Sequence, residues 1–374
     1  MMITTVAGIS TALSLLKVAP ALAARTLVLE KARHPRHKLC GGGVTFLADP
    51  LLDRLDIGWD RLGLAHEPIH ALKLRFGDRE VILSQRNVVR IIRRQAFDAR
   101  LVTLARERGI EMREGMPLTG LQRVADGVLL QTPGGSIEAR AVVGADGAKS
   151  AVRRWMKLPP RSSPPAVSRL LEVLTPEDGQ ISGEFRENFV LFDFTPLDKG
   201  VQGYAWDFPS YVDGRATMNR GIFDSRILPQ RPRAGLVPAL AAHLAARGRT
   251  LADGELQGHP ERYYERAGVH ARPHMVLAGD AAGVDPLFGE GIAPALHYGP
   301  VVAEALRVAF DRGDFSFATY GDRLAASGVG RMLATRVRVA RFCYGRSPRF
   351  VRLAWPLLGP VGRYLLWREG RLLR

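Results

Sequence analysis

Three carboxylates close short apolar runs. Glu30 ends Thr26-Leu27-Val28-Leu29-Glu30, Asp146 follows Val143-Gly144-Ala145, and Asp280 follows Met275-Val276-Leu277-Ala278-Gly279. A buried strand ending in glycine and acid presents a carboxylate at the carboxyl edge of an open α/β sheet, where ligands bind. Such oxygens accept hydrogen bonds from a ribose or a polyol chain. Glu30 lies 22 residues after Gly8, near the ~20 that separate a phosphate turn from the ribose-binding acid of a dinucleotide unit. Downstream of Asp280, Asp285-Pro286-Leu287-Phe288-Gly289-Glu290-Gly291-Ile292 opens an apolar helix. Amide groups exposed at such a helix start favour anionic atoms. Each turn alone also reads as a capped strand-to-helix connection, which is the commoner case. Their order and separation along one chain are more specific.

Cys40 has an unusual setting. It sits in His34-Pro35-Arg36-His37-Lys38-Leu39-Cys40-Gly41-Gly42-Gly43, a basic stretch whose charge lowers a thiol pKa and whose glycines leave it accessible. A lone cysteine is most often an ordinary small buried hydrophobe. With Cys343 as the other cysteine, neither a disulfide framework nor a zinc cage can form, so no metal site is expected and a reducing compartment suits the chain.

Elements must position these groups. The apolar stretch Ile9 to Ala24 mimics a secretory signal, but no Lys or Arg precedes it and Lys17 interrupts it. A helix leading into the buried strand at Thr26–Glu30 is the better reading. The glycine fingerprint expected ahead of that helix is absent. Aligned from Glu30, Ala7 and Ile9 replace the first two glycines, and an isoleucine there is expected to intrude on a pyrophosphate. The strand before the turn is degraded or missing. Arg94 to Arg108 reads as a helix stopped by Gly109. Ile110–Arg113 reads as a strand, and Val128–Thr132 with Ile137–Val143 as a pair around Pro133-Gly134-Gly135. Residues 160 to 267 are aromatic, proline-punctuated and strand-like.

Taken together, Glu30, Arg94-x-x-Phe-Asp98, Gly144-Ala-Asp-Gly-x-x-Ser-x-Val-Arg153 and Gly279-Asp-Ala-Ala-Gly-x-Asp-Pro-x-x-Gly-Glu-Gly291 resemble the FAD-dependent aromatic-hydroxylase-like oxidoreductases. Pro35-x-x-Lys38-x-Cys40-Gly41-Gly42 and Tyr204-Ala-Trp206-Asp-Phe208-Pro resemble, within them, the geranylgeranyl reductase family. The resemblance implies an α/β (α+β) fold, with a Rossmann-like FAD domain assembled from discontinuous segments 1–65, 90–160 and 268–320. An inserted antiparallel β-sheet substrate domain would take 66–89 and 161–267, and a basic helical C-terminal segment 321–374. It also implies that Glu30 with Lys31, Arg94, Asp146 with Gly147, and Gly279 with Asp280 hold FAD. Pro286, Gly289, Gly291 and Ile292 would pass beside the flavin ring. Tyr204, Trp206 and Phe208 would line an apolar substrate tunnel, although alternate aromatics on a strand also arise from core packing alone. Cys40 would position or protonate the substrate. The implied reaction is reduction of C=C bonds in an isoprenoid. A flavin monooxygenase or halogenase, and an inactive or flavin-free lipid-binding relative, stand as alternatives. The electron donor, NADPH or ferredoxin, stays open because no second nucleotide fingerprint is present.

Composition bounds the rest. The 374 residues are 46% hydrophobic and 24% charged, ordinary globular usage. No apolar run reaches the ~20 residues of a spanning helix, so a cytoplasmic protein is expected. The net charge is +16, and part of the excess is local: from Arg331 to Arg374 eleven Arg face one Glu. Interleaved with Phe342, Phe350, Trp355 and Trp367, that segment reads either as an arginine-faced helical cap or as a peripheral contact with the inner face of a membrane. No nucleic-acid motif accompanies the charge.

Overall fold

A computed structural model describes residues 2–3, 6–38, 40–156 and 166–374. The expected boundary at 160/161 lies outside the described residues. Among them, three sheets form. The first has six strands, in the order 271–272, 275–277, 142–144, 2–3, 27–30 and 111–114. All its neighbours run parallel except the 271–272 edge. Its central members Leu27–Glu30, Val142–Gly144 and Met275–Leu277 are buried almost throughout, as a parallel sheet with both faces covered requires. A first strand is present after all: Met2–Ile3 pairs with Val28–Leu29 on one side and Val143–Gly144 on the other.

The helix Val6–Val18 follows and is buried from Val6 to Leu15. It lies against Ile292–Arg312, so closely that a Cβ on Gly299 would collide with Ser10, whose hydroxyl donates to the Leu296 carbonyl at 2.6 Å. Arg94–Glu107 also packs against Val6–Val18.

The second sheet has eight strands, in the order 257–262, 167–176, 215–224, 203–212, 189–193, 67–76, 79–91 and 43–45. It is antiparallel except where 189–193 meets 67–76. The third is a meander of Gly120–Val124, Gly127–Thr132 and Gly135–Ala139. Here the expected strand Ile137–Val143 divides. Residues 135–139 are largely exposed and close the meander, whereas fully buried Val142–Gly144 enters the parallel sheet.

The C-terminal helices Gly328–Gly345, Pro348–Ala354 and Leu358–Leu372 do not stand apart as an appendage. They lie across the large sheet. Trp355 packs on Phe76 and Phe194 at 5.5 and 5.6 Å between ring centroids, and Gly362 comes close against Leu83. Among the described residues, no helix is long and apolar enough to cross a membrane.

Candidate functional site

A cavity of ≈ 720 Å³ opens between the carboxyl end of the parallel sheet, one face of the large sheet and the C-terminal helices. Its polar end is built from separate segments. Lys38 and Cys40–Gly43 come from the basic loop, Arg94 from a helix start, Asp280 from the turn after 275–277, and Gly289–Ile292 from the loop before the long helix. Four more groups come from two paired strands. Leu170 lies opposite His259, and Ser168 opposite Glu261. With a side-chain period of two, this register puts Leu170, Glu172, His259 and Glu261 on the cavity face, where all four line the wall.

Electrostatics at this end are dominated by burial. Arg94 pairs with Asp98 through two hydrogen bonds of 2.9 Å. Asp98 also faces Arg36 at 3.4 Å, and Arg36 reaches Glu30 at 3.8 Å. Burial pushes the Lys38 amine down, with the neighbouring Arg94 charge adding to it. Burial pushes Glu172 up to about 7, although it accepts the Cys40 N–H at 3.1 Å. Glu261 is pushed well above the usual carboxylate range by burial and then by the Asp280 charge. Two buried carboxyl oxygens, Glu30 Oε2 and Glu261 Oε2, find no hydrogen-bond partner among the described residues. Buried polar atoms of this kind call for partners from a bound group, such as the hydroxyls of a ribose or ribityl chain, which both donate and accept. Gly289 has φ +63°, and a Cβ there would lie 3.2 Å from that Glu261 oxygen.

One buried cation fixes the loop. Arg336, on Gly328–Gly345, donates to Asp285 and Glu290 at 2.7 Å each, and to both oxygens of Glu369 at 3.0 and 2.8 Å. Thr45 donates to the other oxygen of Glu290. Asp285 accepts the N–H groups of Leu287 and Phe288 at 2.7 and 3.1 Å. Tyr344 and Tyr204 donate to the carbonyls of Leu287 and Phe288. The Asp285–Ile292 stretch is therefore held by four side chains from three elements.

The other end of the cavity is apolar. Tyr204, Trp206 and Phe208 line it while touching one another at 6.2 and 6.1 Å between ring centroids. The wall and core readings thus describe the same side chains. Trp206 donates to Asn219 at 2.8 Å and has room only because its cross-strand partner is Gly221. Opposite stand Trp355, Leu358, Leu365 and Leu366 of the C-terminal helices.

Of the residues expected at the site, Cys40, Arg94, Asp280, Gly289, Gly291, Ile292, Tyr204, Trp206 and Phe208 meet on this cavity. Glu30 stands off the wall and is linked to Arg94 by three successive ion pairs, through Arg36 and Asp98. Lys31, Gly147, Gly279 and Pro286 are not on its wall. Asp146 is engaged locally: it accepts from the Ser150 hydroxyl at 2.5 Å and from the Ala151 N–H at 2.6 Å, and so caps its own helix.

Two expectations need correction. Ile9 does not intrude on the cavity; it is 2% exposed and belongs to the core beneath. Cys40 is not a low-pKa thiol, because burial pushes it up, and its sulfur accepts the Gly42 N–H at 3.3 Å. Gly42 itself, at φ +80°, serves packing, since a Cβ would collide with the Ile92 carbonyl. Sequence reasoning missed Glu172, Glu261 and Arg336. Only Glu172 carried a signal, a lone charge inside the apolar run Leu170-Leu171-Glu172-Val173-Leu174; Glu261 lies beside Arg262, and Arg336 lies in an arginine-rich helix.

No family model matches the chain. A digeranylgeranylglycerophospholipid reductase of Methanosarcina mazei is 30% identical over 235 residues, 60% of this chain and 55% of that protein. The chain thus spans about half the length of that relative. A menaquinone reductase of Mycolicibacterium smegmatis is 26% identical over 371 residues, 88% of this chain and 82% of the relative. Among solved structures, a geranylgeranyl bacteriochlorophyll reductase-like protein of Thermoplasma acidophilum has a TM-score of 0.77 at 20% identity, covering 96% of this chain and 90% of its own. The halogenase PltM in complex with phloroglucinol and FAD has a TM-score of 0.68 at 17% identity, covering 92% and 75%. These two share the fold.

Proposed function

We propose that this chain, which belongs among the geranylgeranyl reductase-like flavoproteins, is an FAD-dependent oxidoreductase that adds hydrogen across isolated C=C bonds of a prenyl chain. The observation that carries this reading is the division of the cavity. One end is charged and lined by glycine turns, and the other is an apolar chamber of aromatic and leucine side chains continuous with it.

Arg94, Asp280 and the Gly289–Ile292 backbone would hold the flavin dinucleotide, and the Glu30 oxygen that lacks a hydrogen bond would take a ribose hydroxyl. FAD, when bound, supplies the electron pair as hydride. The chain supplies the rest. An isolated alkene has no carbonyl to polarise it, so a proton must be delivered from a group that keeps it inside an apolar chamber. Cys40 Sγ stays protonated because of burial, and the Glu172 carboxyl titrates near neutrality beside it. The aromatic wall orients the chain and excludes water. NADPH or ferredoxin would be the electron donor.

The test is direct. Purified protein should show flavin bands near ~370 and ~450 nm, and after anaerobic reduction should convert geranylgeranyl lipids to products heavier by pairs of hydrogens. Unchanged lipid under full reduction overturns the reading. The halogenase-like fold keeps a second reading in view, a flavin monooxygenase or halogenase; oxygen-dependent NADPH consumption with an oxygenated or halogenated product would favour it. Colourless protein that takes up no flavin would instead favour a lipid-binding relative, the reading prompted by Ala7 and Ile9.

A further inference from the structure

The outer side of the C-terminal helices is as apolar as the inner. Among the described residues, seven of the thirteen large apolar side chains left exposed fall between Phe342 and Trp367. Five of them make a stripe that runs over three elements: Leu353 on Pro348–Ala354, Leu357 at the end of the turn after it, and Val361, Tyr364 and Trp367 at steps of three on Leu358–Leu372. Their exposure is high, 79% at Leu353 and 64% at Leu357. The other exposed apolar side chains are scattered singly, which is normal for a surface; a contiguous stripe is not.

The exposed charge carried by this segment itself is all positive, and Arg352 is paired with Asp78 of the neighbouring strand turn at 3.1 Å. Arg349, Arg363 and Arg371 are exposed on the same helices, and Arg346 in the link just before them. The one acid from Arg346 to Arg374, Glu369, is buried against Arg336. Arg346 sits over the rings of Phe342 and Phe350, and Arg371 over Trp367. Phe342, Arg346, Phe350, Leu357 and Val361 are exposed outside and also line the cavity. The cavity therefore opens through this surface.

We infer that Pro348–Leu372 lies flat on an anionic lipid leaflet, with the stripe in the acyl boundary and the arginines at the headgroups, so that the apolar chamber opens onto the bilayer. A cationic rim with Tyr and Trp around an apolar stripe matches that partner. It repels a second copy of itself, which would bring two such rims together. The nature of the lipid that enters rests on the prenyl-reductase reading; the docking itself does not.

The experiment is vesicle co-sedimentation of the full chain, without flavin or prenyl substrate. Wild-type protein should pellet with vesicles of phosphatidylcholine and phosphatidylglycerol, and less with phosphatidylcholine alone. L353E/Y364E/W367E replaces three exposed side chains that do not line the cavity. It should lose about tenfold or more of the partitioning with an unchanged melting temperature. R349E/R363E should lose the preference for phosphatidylglycerol. No pelleting of the wild type, or equal pelleting of wild type and triple variant, overturns the inference. So does a wild-type dimer in light scattering that the triple variant converts to monomer, because the stripe would then be a self-interface. Vesicle binding without alkene reduction would leave the docking intact and remove the reductase reading.

Discussion

Glu172 is the residue whose chemistry is most exposed to test. Its carboxyl normally titrates at 4.5 and is raised by burial to about 7. The folded state therefore holds a proton that the unfolded chain has already lost between those two values. Stability falls as pH rises across that window, by on the order of 3 kcal/mol. Below pH 4.5 both states are protonated and the difference vanishes. Glu172→Gln should flatten this part of the stability curve in urea titrations run at several pH values. If Glu172 supplies protons, the same variant should also remove an activity limb that declines above about pH 7. For Cys40, Cys40→Ala and Cys40→Ser should each lower turnover by about 10²-fold or more with flavin still bound, the usual scale of a general acid. Full turnover in both, followed by product mass, removes Cys40 from the proton path.

Elements differ in how far they could be read ahead of the fold. Gly144-Ala-Asp146-Gly and Gly279-Asp280 were legible because a strand, its turn and the following helix are neighbours in the chain. The aromatic strand around Trp206 was legible from its alternation, whereas the space for Trp206 comes from Gly221 on the next strand. Ile137–Val143 was misread as one strand because its apolar character is continuous; what divides it is the sheet that each half joins. Arg336 was out of reach altogether. Its partners Asp285 and Glu290 lie 51 and 46 residues away, and nothing local marks an arginine in an Arg-rich helix as buried. Its weight can be measured. Arg336→Met leaves three buried carboxylates without their cation, which should cost about 3–5 kcal/mol, read as a lower urea midpoint. A surface change such as Arg341→Met, on the same helix, should cost under ~0.5 kcal/mol.

For the whole molecule, the C-terminal helices are a wall as much as a surface. They cover Phe76 and Leu83 of the large sheet, with Phe194 just after its 189–193 strand, and close one side of the chamber. Ending the chain after Gly345 should uncover that apolar face and give aggregates in light scattering, not a soluble core that has merely lost its basic tail. Monodisperse truncated protein would show that these helices are dispensable to the fold.

Arg336 has one more consequence. It clasps the Asp285–Glu290 loop with one edge of its guanidinium and the last helix, through Glu369, with the other. If docking of the tail steadies the loop through this arginine, then by thermodynamic reciprocity whatever steadies the loop must steady the tail to the same degree. The seven arginines after Tyr344 make that tail a ready reporter. Adding FAD should slow tryptic nicking there, a protection that Arg336→Met should abolish.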